Sequence, residues 1–402
     1  CFPVILFVSA ISALVGMVGG ARAGVRMGEG KLYEANKILG NCTLLLMILG
    51  LAATVVFQLC KEPMLYLFGA TENTISYSMD YLNIYLYGSI FVELALGLNF
   101  FITSQGFSTV GMASVIIGAV VNIVLDPILI FGLNMGVKGA ALATITAQAV
   151  SAVWVVRFLC GRRTKLRIQR RLLRLDAKVL APVLALGLSP FIMQSTESLV
   201  NIAFNSSLKT YGGDPAVGAM TICSSIMQVF SLLFQGLSQG AQPIVGYNYG
   251  AGQLDRVKRT FRLLFFSSLC FSCAACAALE LFPGLFVSLF NDKPELVEIA
   301  VWALHIYAAG MFMLGVQFSC QQTFVALGQT RVSLFLALLR KVILLIPLIL
   351  LLPRFLSDQV FAVFLAEPVA DILAATTTGA IFFWRLPRIL EKRRLELEHR
   401  PI

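Results

Sequence analysis

The stretch "NIVLDPILIFGLNMGVKGAALAT", residues 122–144, contains two apolar segments joined by a short connection at 134–138. Asn122, Asp126 and Pro127 interrupt the first segment. An Asp at the centre of a membrane helix costs about 3 kcal/mol on insertion scales, and an interior proline removes a backbone hydrogen bond. If this stretch forms a helical hairpin in lipid, its polar residues need a role that offsets the cost.

Apolar segments of about the length of a membrane span recur along the whole chain. Hydrophobic residues make up 58% of the sequence and charged residues 13%, and the mean hydropathy of +0.84 lies outside the range of soluble domains. A span needs about 20 apolar residues. The sequence therefore predicts an all-α integral membrane protein with eleven spans, at about 2–24, 41–60, 77–104, 112–133, 137–160, 179–208, 216–240, 261–282, 299–326, 332–352 and 359–384.

Lys and Arg residues fall unevenly on the two sides that these spans define. Of the 31 basic residues, 26 lie on one side, and the other side has only Lys61, Lys138, Lys209, Lys293 and Arg354. Because cytoplasmic connections retain positive charge, the basic side and the C-terminus are assigned to the cytoplasm. The net charge of +10 then reflects topology and contact with anionic lipid rather than nucleic-acid binding.

The two halves of the chain are similar at a fixed spacing. "RMGEGKLYEANK" (26–37) is similar to "NYGAGQLDRVKR" (248–259), which pairs Gly28 with Gly250, 222 positions later. The same spacing relates Gly30 to Gly252, Phe68 to Phe290, Tyr85 to Tyr307, Gly88 to Gly310 and Gly106 to Gly328. One register held over about eighty residues indicates two copies of one helical bundle running in the same direction.

The repeat predicts two parallel six-helix lobes. The first lobe covers 1–160, a basic linker 161–178, the second lobe 179–384, and a cytoplasmic tail 385–402. We expect the linker to be a solvated surface. The spacing places the partner of segment 179–208 before Cys1, so we expect the first lobe to be truncated here to five helices, the second to sixth of the intact fold.

Five acidic residues lie inside the predicted spans: Glu93, Asp126, Glu197, Glu367 and Asp371. Acids in such positions mark ion or substrate routes, or else form hydrogen bonds that pack helices together. The functional interpretation is favoured for Asp126 and Glu197, and Glu93 fits either one. Glu367 and Asp371 lie around Pro368, where they are expected to satisfy the backbone that the proline frees.

Asn122, Asp126 and Thr144 are the candidate cation-coupling residues. Asn122 and Asp126 are four positions apart and therefore share a helix face, and the short connection returns the next helix so that Thr144 reaches a similar depth. Carboxylate, amide carbonyl and hydroxyl oxygens are hard ligands that suit a small cation, and a carboxylate alone carries a proton. The sequence predicts a site for Na+ or H+ here, and no other metal site.

Several stretches resemble the multidrug and toxic compound extrusion (MATE) transporters, bacterial branch. They are "GAVVNIVLDPILIFGLNMGVKGAALATITAQ" (118–148), "QGLSQGAQPIVGYNYGAGQLDRVKRT" (235–260), "GEGKLYEANKILGN" (28–41) and the stretch 326–353. The resemblance implies a V-shaped pair of lobes that exchanges substrate for Na+ or H+ by alternating access. It also implies a cation site in the first lobe, which Asn122, Asp126 and Thr144 match, together with a first-helix Asp expected before Cys1. Glu197 is similar in position to a functional seventh-helix Glu of some branches.

Four residues are predicted to contact substrate: Glu93, Glu197, Met193 and Phe234. Met and aromatic side chains adapt to varied apolar cations and attract positive charge, and the acids would attract such cations into a central cavity. Lipid contact or core packing is the alternative for Met193 and Phe234.

The predicted function is secondary antiport that exports amphipathic, often cationic drugs or toxic metabolites in exchange for Na+ or H+. The alternatives are a flippase for lipid-linked precursors and an integral-membrane enzyme. The chain has only two His and no clustered catalytic motif, so no enzyme and no cofactor are expected. A flippase for polyanionic lipid needs basic residues inside its spans, whereas Arg340 and Lys341, the deepest ones, are placed near the cytoplasmic end. We expect a monomer in the bacterial inner membrane, with small molecules and lipid as its partners.

Overall fold

The computed structural model describes residues 2–67 and 72–398, and these ranges contain helices and no strand. In lipid every backbone polar group must be satisfied within the chain, which long apolar helices achieve. The α-helices are Phe2–Ser12, Val18–Gly28, Leu32–Leu67, Glu72–Tyr87, Ser89–Thr103, Ser108–Pro127, Gly136–Cys160, Ala177–Gly250, Leu254–Leu281, Pro283–Ser288, Pro294–Ala308, Leu314–Ala326, Thr330–Leu338, Ile346–Phe355 and Gln359–Glu398. The predicted all-α integral membrane fold is confirmed.

Helices long and apolar enough to span a membrane number eight in the described ranges, or ten when each of two bent pairs is counted as one span. The run Ala177–Gly250 contains two predicted spans, because Gly213 has non-helical angles (φ 67°, ψ −164°) and divides it. The bent pairs coincide with the predicted spans 77–104 and 299–326. Each of the eleven predicted segments therefore lies in helical structure.

Backbone features recur at the spacing found in the sequence. Gly88 separates two helices that meet at 57°, and Gly310, 222 positions later, separates two that meet at 41°. Positive φ angles also recur in matching pairs: 77° at Gly30 and 73° at Gly252, and 89° at Gly106 and 72° at Gly328. Glycine adopts such angles without the steric cost that a Cβ brings, so the repeat is visible in the main chain.

The contacts divide the chain into two compact units. Unit 1 comprises Cys1–Gln194 and Gly246–Ala251, and unit 2 comprises Ser195–Val245 and Gly252–Ile402. The division falls inside the long helical run and not in the segment 161–178. The lobe boundaries derived from the sequence stay predictions, and the helix Gln359–Glu398 continues into the segment predicted as a tail.

The segment 161–178 is held on unit 1 by its main chain. Gln105 Oε1 accepts the N–H of Leu166 at 2.8 Å, and Asn36 Oδ1 accepts the N–H of Arg167 at 2.7 Å. The Leu166 side chain is fully buried, whereas Arg163 stays exposed. Most residues of this segment are exposed, as a solvated surface requires, and a few buried residues such as Leu166 attach it to unit 1.

Candidate ion and substrate sites

One face of the helix Ser108–Pro127 lets the neighbouring helices approach closely. A Cβ on Gly111 would lie 2.6 Å from Asn99 Oδ1, and a Cβ on Gly118 would lie 2.4 Å from Ser151 Oγ. Only small residues fit these contacts. The face continues at Asn122, which is half-buried, so polar groups from three helices meet beside it.

A cavity of about 230 Å³ lies along this face in unit 1. The structure brings Asn122 and Thr144 together in its wall, as the sequence analysis expects. Apolar residues such as Leu96 and Val115 complete the lining. The polar residues that line the cavity are Asn99, Ser114, Asn122, Thr144, Gln148 and Ser151.

Two amide atoms near this cavity are buried without a hydrogen-bond partner among the described residues: Asn122 Nδ2 and Asn99 Oδ1. The other end of the Asn99 amide donates to the Gly111 carbonyl at 3.2 Å. Thr144 Oγ1 donates to the Ala140 carbonyl at 2.9 Å, which leaves its lone pairs free to accept. Because buried polar groups in proteins are normally paired, the cavity suits a polar ligand or an ion.

Asp126 lies one helical turn beyond Asn122 and is partly exposed. Within the described ranges no hydrogen bond or ion pair joins its carboxylate to another residue. It does not line the cavity, and Pro127 follows it where the α-helix passes into the π-helical segment Ile128–Gly132. Its carboxylate is therefore free to bind a cation or a proton, with the oxygens of Asn122 and Thr144 as the other candidate ligands.

Glu93 is fully buried in unit 1. Its Oε2 accepts a hydrogen bond from Ser12 Oγ at 2.8 Å, and its Oε1 has no partner among the described residues. Gly50 lies so close that a Cβ there would be 3.3 Å from Glu93 Cγ. A substrate reaches this carboxyl only if the helices around it separate, so its predicted substrate contact stays a prediction.

Unit 2 contains a group of charges inside its helices. The sequence analysis expected Glu367 and Asp371 to satisfy the backbone that Pro368 frees, whereas the structure pairs both of them with Arg340. Arg340 donates from Nε to Asp371 Oδ1 at 2.6 Å and from Nη2 to Glu367 Oε1 at 3.2 Å. Next to it, the Lys341 ammonium forms an ion pair with Glu197 Oε1. Arg340 lies about 14 Å along the helix axis from Arg331, where that apolar helix begins. Both side chains face carboxylates, and their predicted location near the cytoplasmic end stays a prediction.

The remaining substrate candidates have different surroundings. Glu197 is half exposed, with 52% of its side chain accessible, and Lys341 neutralises its charge. Phe234 is fully buried and stacks on Phe318, with ring centroids 5.4 Å apart and planes 4° apart. The side chain of Met193 lies outside the part that the structure describes. Substrate contact by these residues stays a prediction.

Sequence reasoning missed Asn99 and Gln148 in the cavity wall, and the pairing of Arg340 with Glu367 and Asp371. Asn and Gln carry no charge, so they are inconspicuous in an apolar helix. A signal for the charge pairing was present, because Glu367 and Asp371 are four apart on one face and Arg340 interrupts an apolar run in the preceding span.

Known proteins are similar to this chain over most of its length. The MatE family model matches residues 1–128 and 190–351. The multidrug export protein MepA of Staphylococcus haemolyticus is 25% identical over 374 residues, which cover 92% of this chain and 82% of that protein. MepA of Staphylococcus aureus is 24% identical with the same coverage.

Solved structures have the same fold. The structure of the MATE multidrug transporter DinF-BH is 36% identical and has a TM-score of 0.88, with 95% of this chain and 85% of that chain covered. A crystal structure of a MATE protein in the bent conformation has a TM-score of 0.92 at 21% identity and covers 98% of this chain and 87% of that one. Because the family model matches well over half of the chain and the DinF-BH structure is similar throughout, this chain belongs to the multidrug and toxic compound extrusion (MATE) family.

Proposed function

We propose that this chain is a secondary active antiporter, which exports amphipathic, often cationic small molecules in exchange for Na+ or H+ by alternating access. Its family membership supports transport, and the names of its relatives describe multidrug export. The proposed location is the bacterial cytoplasmic membrane, with the C-terminus in the cytoplasm, because the basic residues concentrate on one side. The proposed working form is a monomer, whose only partners are the bilayer and its substrates.

Asp126 supplies the observation that carries this proposal. Its carboxylate lies on the polar face of an apolar helix, one turn from a cavity-lining Asn122, without a counter-cation among the described residues. Binding of Na+ or H+ neutralises this charge, and release restores it. The membrane potential supplies about 2.3 kcal/mol per 100 mV for each charge that crosses the membrane. A transporter can use this energy only through a group that binds and releases the ion.

Na+ and H+ make different demands on the same residues. A proton needs only the Asp126 carboxylate, whereas Na+ needs further oxygens from Asn122 and Thr144. The Asn122 amide must then present its oxygen, and a half-turn of the amide exchanges oxygen and nitrogen at almost no steric cost. Replacement of Thr144 by Val would therefore weaken Na+ coupling and leave proton coupling largely unchanged.

Arg340 and Lys341 are the observation that favours the alternative, a flippase for lipid-linked precursors, because they are basic residues inside a span. Carboxylates in unit 2 already hold both of them. Neither is free to bind a lipid phosphate in this conformation. The efflux proposal is therefore preferred.

Proteoliposomes that contain the full-length protein test the function. A Na+ gradient at constant pH, or a pH gradient without Na+, is imposed as the only driving force. We expect one of the two to drive accumulation of a cationic dye inside the vesicles. If neither gradient moves the dye, while a fluorescent lipid precursor equilibrates between the leaflets, the flippase alternative replaces the antiporter.

A further inference from the structure

Carboxylates outnumber cations in a cluster of unit 2, called here the unit 2 charge cluster, which consists of Glu197, Arg340, Lys341, Glu367 and Asp371. Three acids face two bases, so complete ionisation leaves one net negative charge. Glu367 is 7% exposed, Asp371 2% and Lys341 6%, whereas 52% of the Glu197 side chain is accessible. The ion pair of Glu197 with Lys341 leaves one guanidinium for two buried carboxylates, and a buried charge without a full counter-charge is costly.

The excess charge falls on the contacts of Arg340. Lys341 is engaged by Glu197, so one guanidinium must balance both Glu367 and Asp371. The contact with Asp371 is the short one, 2.6 Å against 3.2 Å for Glu367. Glu367 is thus the less firmly held of the two acids.

The second oxygen of the Glu367 carboxyl, Oε2, is buried and lacks a hydrogen-bond donor among the described residues. A buried charged oxygen without a donor carries its full desolvation cost, whereas the same oxygen in a neutral acid carries much less. The next residue, Pro368, has no N–H, so the Phe364 carbonyl one turn earlier lacks its usual helical donor and is available to accept an O–H.

We propose that the unit 2 charge cluster is a proton-binding site and that Glu367 is the carboxyl that carries the proton. A proton from water forms an O–H bond on Glu367, the cluster becomes neutral, and release returns the proton to water. Na+ needs several oxygen ligands, and Arg340 already occupies one oxygen each of Glu367 and Asp371, whereas a proton needs only one oxygen, so the ligand is a proton and not Na+.

Among the described residues, two titratable groups outside the cluster lie nearby: Tyr307 and, beside it, Cys223. The Tyr307 ring lies 6.5 Å from that of Phe364. Glu197 is half exposed and in contact with Lys341, so its carboxylate links the cluster to the accessible surface. The occupancy of the site by a proton is independent of the antiport proposal, whereas exchange of this proton during transport rests on it.

Infrared spectroscopy of the full-length protein at neutral pH tests the occupancy, because a protonated carboxylic acid has a C=O stretch distinct from that of a carboxylate. Glu93 is also a buried glutamate, and its proton would contribute to the same band, so the measurement is made in the Glu93→Gln background. We expect a protonated-acid band that shifts when Glu carries 13C in its carboxyl, does not shift when Asp does, and disappears on Glu367→Gln. Glu280→Gln, which alters an exposed acid paired with His305, should leave the band intact.

Three results of the infrared measurement would overturn the proposal. A band that survives Glu367→Gln, or that shifts with labelled Asp, means that Glu367 does not carry the proton. A band that Na+ abolishes at fixed pH means that the site takes the metal ion instead. If Glu367→Gln fails to fold, the labelling of the Glu93→Gln protein decides alone, since absence of a labelled-Glu band contradicts the proposal. Failure of dye transport with this band present would reject the antiporter and leave the proton site standing.

Discussion

Units 1 and 2 are related by the sequence repeat, yet they hold their membrane-embedded acids in opposite ways. In unit 1, Asp126 has no cationic partner among the described residues and lies beside a cavity with unpaired amide atoms. In unit 2, Arg340 holds Glu367 and Asp371 through direct hydrogen bonds. A carboxylate without a partner can bind an external cation. At a carboxylate that already contacts a guanidinium, an external metal cation would have to displace that guanidinium.

This contrast teaches that a shared backbone does not impose shared chemistry. Both units have the glycine bends, at Gly88 and Gly310, and both keep the matching positive-φ glycines. The side chains that make the units differ lie on helix faces between these fixed points. In our account, unit 1 selects the coupling ion and unit 2 binds a proton within a fixed group of charges.

The largest expected effect comes from Asp126→Asn, which removes the one charge that the unit 1 site can neutralise. We expect a folded protein that has lost accumulation of a cationic dye against its gradient, because no group then binds and releases the ion. Transport assays in vesicles measure this loss. Asp80→Asn is the matched control in the same unit, since Asp80 forms an exposed pair with Lys138 at 3.4 Å. Normal dye accumulation by Asp126→Asn would show that Asp126 does not bind the coupling ion, and it would contradict the functional difference proposed between the units.

Arg340→Met tests the other half of the comparison. Removal of the guanidinium leaves buried acids without their cation, and breaking a buried pair in this way costs about 3–5 kcal/mol of unfolding free energy. Chemical unfolding in detergent micelles measures the change. Arg394→Met is the control, because its pair with Glu398 is exposed on both sides and contributes little. Equal stability of the two variants would show that the unit 2 charge cluster does not hold its helices together.

The two glycine bends sharpen the comparison at the level of packing. A Cβ at Gly310 would lie 2.7 Å from Pro368 Cα, and a Cβ at Gly88 would lie 2.6 Å from Ile145 Cβ. Neither of these two atoms can move unless the backbone moves, and overpacking of this kind costs about 1–3 kcal/mol. We therefore expect Gly310→Ala and Gly88→Ala to lower the unfolding free energy by similar amounts. A loss in only one of the two variants in thermal unfolding would mean that the two bends are not packed alike.

The smallest effect concerns the surface of unit 1. The hydrogen bond from Lys37 Nζ to Asp176 Oδ2, 2.5 Å long, lowers the pKa of the Asp176 carboxyl. A lowered pKa contributes stability above the pKa of the unfolded chain, about 3.9, and that contribution disappears as the pH falls through the lower folded value. Asp176→Asn keeps an acceptor for the Lys178 N–H and removes only the charge. The midpoints of wild type and variant should differ slightly at neutral pH and converge in strong acid, and a difference that grows in acid would contradict this assignment.

Much of the fold could be predicted from the sequence because its determinants are local and periodic. Each apolar run of sufficient length predicts a membrane-spanning helix. Glycines repeated at a fixed spacing indicate the turns and bends, as Gly106 and Gly328 show. The meeting of Asn122 and Thr144 in one cavity wall was also within reach, because a five-residue connection leaves two adjacent helices few ways to pack.

The rest depends on contacts between helices that sequence spacing does not determine. Asn99 reaches the cavity only because Gly111 lets two helices approach closely. The partners of Arg340 lie on a different helix, and which face of that helix meets it depends on rotation about the helix axis. Gln105 anchors the segment 161–178 from a distance of about sixty residues along the chain, which composition cannot reveal.

The central claim is that substrate transport is coupled to ion movement through unit 1. The most direct test is to measure the ion flux that follows the addition of substrate. Proteoliposomes that contain the full-length protein are loaded with Na+ at a fixed internal pH, a cationic substrate is added outside, and internal Na+ and pH are followed together. The account predicts that substrate entry drives Na+ or H+ out of the vesicles, and that both fluxes stop when Asp126 is replaced by Asn. Substrate entry that proceeds at the same rate without any movement of Na+ or H+ would contradict coupled exchange through unit 1.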